Sequence, residues 1–456
     1  MQRCLAIAFL TWKAAFRFRL FWVLAALLLM SVVLLPLFIK DDGTARGFTQ
    51  ILLTYTLSVI TALLGLATLW LACGILARDI EECQLQMVAV KPIPRWQIWL
   101  GKWLGLVFLN LALLALAGAS VYGLLHYRAS RLPAREQEIL RREIMVARGS
   151  LKPPKPDLEE EVERVLQQRL RQNPVPEAEL PAVRKQFTEL VQAARQVALP
   201  GYPKDWVIDL GLRKSFLRDQ PMFVRVKFYV AQTNAAGSYL TRWQIGPPDR
   251  AVHKDLLLAP DAPYEFAIPP NLFDEKGKLF VRMVNREQTT IVVPEEDGFE
   301  VLYREGGFGL NFARGLLVIA CWLALLAALG LASATFLSFP VAAFFSASLL
   351  FVVLSSGTLS TAVQEGTVFG VDHETGAGSV SVLDSVLLRM FRGMLLVINL
   401  VQGFSPIDSL STGRSITWLQ LIQAFGQIVL LMGGLAAVIG MTVLTRRELA
   451  TAQPKA

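Results

Sequence analysis

Five stretches of this chain run for 20 residues or more without a charged side chain: 20–39, 47–77, 103–127, 315–364 and 415–445. A helix of about 20 mostly apolar residues crosses a bilayer core of about 30 Å, so these runs constrain the fold more than any other feature. The longest covers 50 residues, too many for one helix. The segment ending at Pro340 supplies the break, because proline is accommodated in a helix's first turn. The runs predict six membrane spans at about 20–39, 50–77, 102–126, 309–334, 340–356 and 416–444. A further apolar segment, about 383–404, contains Asp384, Arg389 and Arg392 and is expected to lie on the membrane surface or re-enter it.

The charges are concentrated elsewhere. Residues 127–306 hold 28 Lys and Arg and 26 Asp and Glu, 54 of the 82 charged side chains in the chain. The remaining 276 residues carry 17 basic and 11 acidic side chains. With 54% hydrophobic residues and a mean hydropathy of +0.45, the composition is too apolar for an ordinary soluble protein. The reading is a hydrophobic frame, 1–126 and 307–456, interrupted by a polar insert, 127–306. The frame accounts for most of the basic balance. Lys and Arg accumulate on cytoplasmic flanks, so the sign requires no nucleic-acid partner.

Placing the N-terminus in the cytoplasm puts 11 basic residues in the inner segments and five in the short outer ones. Six spans then return the C-terminus to the cytoplasm and leave the insert outside. The N-terminal segment, with Arg3, Lys13, Arg17 and Arg19, is expected to be an amphipathic helix on the inner leaflet rather than a cleaved signal. A multi-pass protein of a bacterial inner membrane is the expected setting. Cys4 and Cys83 fall on the cytoplasmic side and Cys73 and Cys321 inside spans, so no external disulfide framework is expected.

Within the insert, 127–204 reads as helical and 205–306 as a small antiparallel β-sandwich. Leu158, Val162, Val165, Leu166 and Leu170 share one helical face, as do Val183, Phe187, Leu190, Val191, Ala194 and Val197. Beyond Trp206 the period shortens to two: Val224, Val226, Phe228 and Val230 alternate with Arg225, Lys227 and Tyr229. Residues 239–245, 264–268, 279–284, 290–293 and 299–303 continue the strand pattern. Overall, the fold class is an α-helical polytopic membrane protein with an extracytoplasmic α+β insert.

Catalytic and cofactor signatures are missing. The chain has no Gly-x-x-x-x-Gly-Lys-Ser/Thr phosphate loop and no His-Glu-x-x-His pair. His126, His253 and His373 are far apart, and His373 beside Glu374 fits a solvated loop better than a metal ligand. No cofactor or metal is expected, nor an enzymatic activity in this chain. Asn110, Asn311 and Arg314 are the main polar groups within or beside the spans. Gly101 and Gly105, with Gly433, Gly434 and Gly440, permit close helix contact, either within one chain or between two.

The informative connection follows the second run. Arg78, Asp79, Glu81 and Glu82 precede Lys91-Pro92-Ile93-Pro94-Arg95, and Leu100-Gly101-Lys102 opens the third span. Acidic residues favour a helix N-terminus, so a short surface helix over about 78–95, ended by the Pro-x-Pro stop, is expected. Either a partner-docking helix or a solvated turn accommodates these residues.

This connection resembles the coupling-helix region of permease subunits of ATP-binding-cassette transporters of the type-2 exporter class. The basic amphipathic N-terminus, the six spans and the Phe339-Pro340-Val341-Ala342-Ala343 link are also similar to that class. The resemblance covers the frame and not the insert. It implies a dimeric permease, paired with itself or with a second permease, whose coupling helix sits in a groove of a separate cytoplasmic ATPase. Docking would fall to Arg78, Asp79, Glu81, Glu82, Lys91, Pro92 and Arg95, and reversing Glu81 and Glu82 to Lys is expected to release the ATPase. The insert would face a periplasmic or envelope partner, and the lipid bilayer would surround the frame. A membrane-anchored sensor or structural protein, whose outer β-domain binds a ligand or an envelope partner, is the alternative. A membrane enzyme is disfavoured because the spans carry so few ionisable groups.

Overall fold

The computed structural model describes residues 2–17, 19–38, 44–82, 93–154, 158–172, 180–230, 232–233, 237–295, 297–365 and 382–447. In chain order the helices are α1 (Gln2–Arg17), α2 (Arg19–Phe38), α3 (Ala45–Glu81), α4 (Arg95–Ala129), α5 (Ala134–Ile139), α6 (Leu158–Gln172), α7 (Leu180–Gln196), α8 (Lys214–Leu217), α9 (Phe308–Ala334), α10 (Phe339–Leu354), α11 (Ser356–Glu365), α12 (Val382–Gln402), α13 (Pro406–Ser411) and α14 (Trp418–Arg446). The strands are β1 (Val146–Leu151), β2 (Val197–Ala198), β3 (Pro203–Asp209), β4 (Met222–Val226), β5 (Tyr229–Val230), β6 (Tyr239–Ile245), β7 (Val252–Leu258), β8 (Tyr264–Ile268), β9 (Lys278–Asn285), β10 (Ile291–Val292) and β11 (Phe299–Gly307). The chain divides into two compact units, Met1–Ala147 with Gly307–Ala456, and Arg148–Gly306.

The first unit is helical. Four of its helices are long and apolar enough to cross a membrane: Thr49–Glu81 within α3, then α4, α9 and α14. The 340–356 run forms α10, which meets α11 at a 55° bend, and this pair counts as a fifth candidate span. The first run forms α2, whose apolar described part, Trp22–Leu34, is shorter than a span. The described residues thus show four or five candidate spans. The 383–404 segment forms most of α12.

α9 is the axis of this unit and the most buried of the four candidate spans. Small residues make that burial possible. Ala324, Ala327, Ala328, Gly330, Ala332, Ser333 and Ala334 are all buried, and a Cβ on Gly330 would stand 2.7 Å from the Ala72 side chain of α3. Close backbone approach of this kind is how helices associate where lipid removes the hydrophobic incentive. Trp103 of α4 donates its indole N–H to the Ala324 carbonyl of α9 at 2.9 Å, so even the large interfacial side chain has its polar atom satisfied.

The second unit is built from β-sheets around one core. One sheet has the order β1-β11-β4-β8 and the other β3-β9-β6-β7, with a three-stranded ribbon β2-β10-β5. Phe266, Phe299 and Val301 from the first sheet share a buried cluster with Trp243, Val281 and Met283 from the second. Trp206 and Phe299 stack face to face with centroids 4.3 Å apart, and Trp243 lies 6.0 Å from Trp206. The alternation over 224–230 splits between two sheets: β4 ends at Val226, and Tyr229 and Val230 pair with β10 in the ribbon.

The helical expectation for 127–204 needs correction. α6 and α7 are helices, but β1 and β2 interrupt the segment and β3 begins at Pro203. β1 contributes Arg148 and Leu151 to buried positions of its sheet, a role that depends on pairing with β11 and, for Arg148, on Glu265 of β8. On α7, Val191 is buried, whereas Leu190, assigned to the same face, is exposed.

Candidate functional site

The residues singled out in the connection after α3 gather where several helix ends meet. Helix ends leave N–H or C=O groups without intrahelical partners, and here charged side chains from neighbouring helices supply partners for several of them. The first correction concerns the acidic residues. Asp79 and Glu81 begin no new helix; they form the last turn of α3, with Glu82 as its cap, the Glu82 N–H bonding the Arg78 carbonyl at 2.8 Å. Negative charge at a helix C-terminus opposes the helix dipole. Two neighbours remove that penalty.

Lys102 of α4, buried, forms an ion pair and hydrogen bond with the Asp79 carboxylate. Glu81 reaches α10, where its Oε1 accepts the backbone N–H of Phe339 at 3.2 Å. Phe339 is the first residue of α10, and its N-cap Ser338 makes no side-chain cap bond. A carboxylate from another helix therefore caps α10, the position at which the dipole favours an anion. The Arg78 guanidinium carbon lies 5.2 Å from the Phe339 ring centroid, and Trp70 meets the same ring edge-on at 5.0 Å. Cation–π and edge-to-face contacts of this kind fix Phe339 against α3.

Arg95 serves the last candidate span. Its Nη1 donates to the carbonyls of Leu444, Thr445 and Arg447 at 2.9, 3.0 and 2.8 Å, covering the C-terminal end of α14 with a cation. Arg447 passes the connection on, donating from Nη1 to the Thr335 carbonyl at the end of α9, 2.6 Å away. Thus α3, α4, α9, α10 and α14 are joined at one end through Arg78, Asp79, Glu81, Arg95, Lys102, Phe339 and Arg447. Lys91 and Pro92 lie outside the described residues, as does His373.

The N-terminal helix is bound to the same region. The Cys4 thiol donates to the Gln97 carbonyl at 3.3 Å. A Cβ on Gly101 would stand 2.7 Å from Ile7 and 2.9 Å from the Cys4 carbonyl, and one on Gly105 would stand 2.7 Å from Thr11. α1 therefore runs parallel beside the start of α4, and these two glycines serve packing within the chain. Gly440 does likewise, with Trp99 2.8 Å from its Cβ position, while Gly434 has nothing within 4 Å.

At the opposite end of α9, Asn311 donates to the Arg414 carbonyl at 2.8 Å and accepts the Ile416 N–H at 2.7 Å. Arg314 donates to the Ile416 carbonyl at 2.9 Å and lies 4.6 Å from the Trp418 ring centroid. These polar residues secure the turn that leads into α14. Asn110, buried, accepts from the Thr68 hydroxyl at 3.0 Å between α4 and α3.

In the sequence Lys102 stands out only as the end of Leu100-Gly101-Lys102 and Arg447 only as a basic flank of the last run; their helix-linking roles depend on which chain ends lie beside them. The fold and this cluster define a mostly helical chain with several candidate spans and a β-sheet unit. Compared with known proteins, the chain matches no family model and no curated sequence.

Proposed function

We propose that the chain is the permease subunit of an ATP-binding-cassette exporter, with the α3–α4 connection as its contact to a separate cytoplasmic ATPase. The observation that carries this reading is the linkage of that connection to three other helices. Displacing the ends of α3 and α4 moves α10 through Glu81 and Arg78, α14 through Arg95, and α9 through Arg447. A rigid set of helix ends of this kind converts a push on one short connection into a concerted tilt of a bundle. In this reading six spans, α2, α3, α4, α9, α10 with α11, and α14, cross a bacterial inner membrane. Both termini are cytoplasmic, the β unit is extracytoplasmic, and two permeases pair.

Within the docking set, Asp79, Glu81 and Arg95 bond groups on other helices of the chain and transmit force, while the exposed side chains of Arg78 and Glu82 also present charge to the ATPase. Charge complementarity at such an interface sets specificity and association rate. The test is purification in mild detergent with ATPase activity measured in the eluate. A nucleotide-hydrolysing subunit is expected to co-elute with the unmodified chain and to be lost on Glu82→Lys, while Arg95→Ala retains the subunit but uncouples its hydrolysis from transport. A chain that elutes alone, without ATPase activity, would falsify the reading.

A further inference from the structure

A cleft of about 430 Å³ opens in the β unit, lined by Gln192, Gln196, Lys227, Tyr229, Glu295 and Asp297. Its size lies within the roughly 300–1,000 Å³ of ligand-binding clefts. Gln192 and Gln196 stand one helical turn apart on α7, so their amides share a face. The opposite wall comes from β5, the residues just before it and the turn between β10 and β11.

Backbone bonds hold these walls in place. The Val293 N–H bonds the Gln196 carbonyl at 2.8 Å and fastens the end of α7 to β10. The Lys227 N–H bonds the Gly298 carbonyl at 2.8 Å, and the Gly298 N–H closes the turn on the Pro294 carbonyl at 3.0 Å. Tyr229 pairs with Val292 across the ribbon. A cleft whose backbone is already ordered spends little of a ligand's binding energy on ordering itself.

The charges of the lining are matched within the protein. Lys227 holds its ammonium 5.2 Å from the Tyr229 ring centroid, and the Tyr229 side chain, then Asp297 and Asp261, keep it protonated above the usual lysine range. Asp297 also receives Lys152 at 3.4 Å. With Lys227 and Lys152 set against Glu295 and Asp297, the site is close to neutral and offers a charged ligand no net attraction, while Tyr229 keeps part of its ring exposed beside Lys227. Two amides, a phenol, an ammonium and two carboxylates remain as a mixed set of donors and acceptors around an exposed aromatic ring.

We infer that this cleft binds a neutral, hydroxyl-rich ligand, a short saccharide. Sugar hydroxyls donate to the carboxylates and amide oxygens and accept from the amide and ammonium N–H groups, and the apolar face of a sugar ring packs on Tyr229.

The probes are the N-acetylglucosamine tetramer, cellotetraose and maltotetraose, titrated by calorimetry and saturation-transfer NMR into the full chain solubilised in a detergent without a sugar headgroup. At least one tetrasaccharide is expected to bind, Gln192→Ala to weaken it about tenfold through loss of a hydrogen bond, and Tyr229→Ala to abolish it. Gln192 is half-buried on a helix surface and its replacement is expected to leave thermal unfolding unchanged; Gln196→Ala provides the same test from the next turn. The inference is overturned if no saccharide binds, or if binding survives both glutamine replacements.

Discussion

Both units balance charged side chains within the chain, but they do so differently. In the helical unit the charges act at helix ends, where backbone groups supply half of each interaction: Glu81 on a free N–H, Arg95 and Arg447 on free carbonyls. In the β unit the paired strands bond one another along their ladders, and the buried charges of the first sheet balance one another. Glu300, Arg225 and Glu265 occupy aligned positions on β11, β4 and β8. Arg225 bonds Glu300 at 3.3 Å and lies 3.7 Å from Glu265, while Arg148 donates to Glu265 at 2.8 Å and Ser150 to Glu300 at 2.6 Å. The comparison teaches that this helix bundle meets single charges at its ends, whereas the first sheet meets its buried charges as a ladder of ion pairs.

The contrast is broken most severely at Glu265. Glu265→Ala leaves Arg148 and Arg225 without their shared carboxylate at positions where the arginine side chains are 5% and 14% exposed. A loss of about 3–5 kcal/mol is expected for a buried ion network deprived of one partner. Urea unfolding of the full chain followed by hydrogen exchange of β4, β8 and β11 measures it, and a loss below about 1 kcal/mol would show that the ladder is not what balances this sheet. By contrast, Arg242→Ala removes an exposed fork pair with Asp255 and is expected to leave the same transition where it was.

At the helical end the corresponding lesion is milder, because Asp79 retains access to water. Lys102→Met strands the carboxylate at the unfavourable end of α3 and is expected to cost about 2–3 kcal/mol in detergent thermal unfolding. Adding Asp79→Asn should recover most of that loss. A double variant as unstable as Lys102→Met alone would mean that Lys102 acts through packing rather than through its charge.

A further expected effect is a pH dependence read in the β unit. Burial lowers Lys204 to about 8, partly offset by Glu295, and its Nζ donates to the Arg195 carbonyl. The unfolded chain holds that proton up to about 10.4, so the folded state binds fewer protons between these values. Stability conferred at this position therefore rises as pH goes from about 8 to about 10. Hydrogen exchange of β3 should show protection growing over that window and flattening in Lys204→Met; protection that falls with pH to the same extent in both chains would refute the assignment.

Much of the architecture is legible in the chain. Runs of 25 to 50 uncharged residues coincide with α3, α4, α9, α10 and α14, because a long apolar segment has few other ways to satisfy its backbone in lipid. The alternation at 239–245, 264–268 and 279–284 coincides with β6, β8 and β9 for the equally local reason that successive side chains face opposite sides of a strand. β7 was not legible: its sequence, Val-His-Lys-Asp-Leu-Leu-Leu, sits at a sheet edge, where only one neighbour and partial burial constrain the pattern.

The candidate site divides along the same line. Sequence placed Arg78, Asp79, Glu81, Glu82 and Arg95 beside a proline-rich connection, because composition and spacing are local properties. It misread the acidic pair as a helix start, since dipole preference alone favours that reading. Only the tertiary structure decided that Asp79 and Glu81 finish α3, because it brought Lys102 and the open N-terminus of α10 within reach of their carboxylates. What the sequence by itself determined is the set of helices, several of the strands and the separation of charge between the two units. What tertiary structure alone decided is the partner of each of these charges, since that depends on residues that are up to 352 positions apart in the chain.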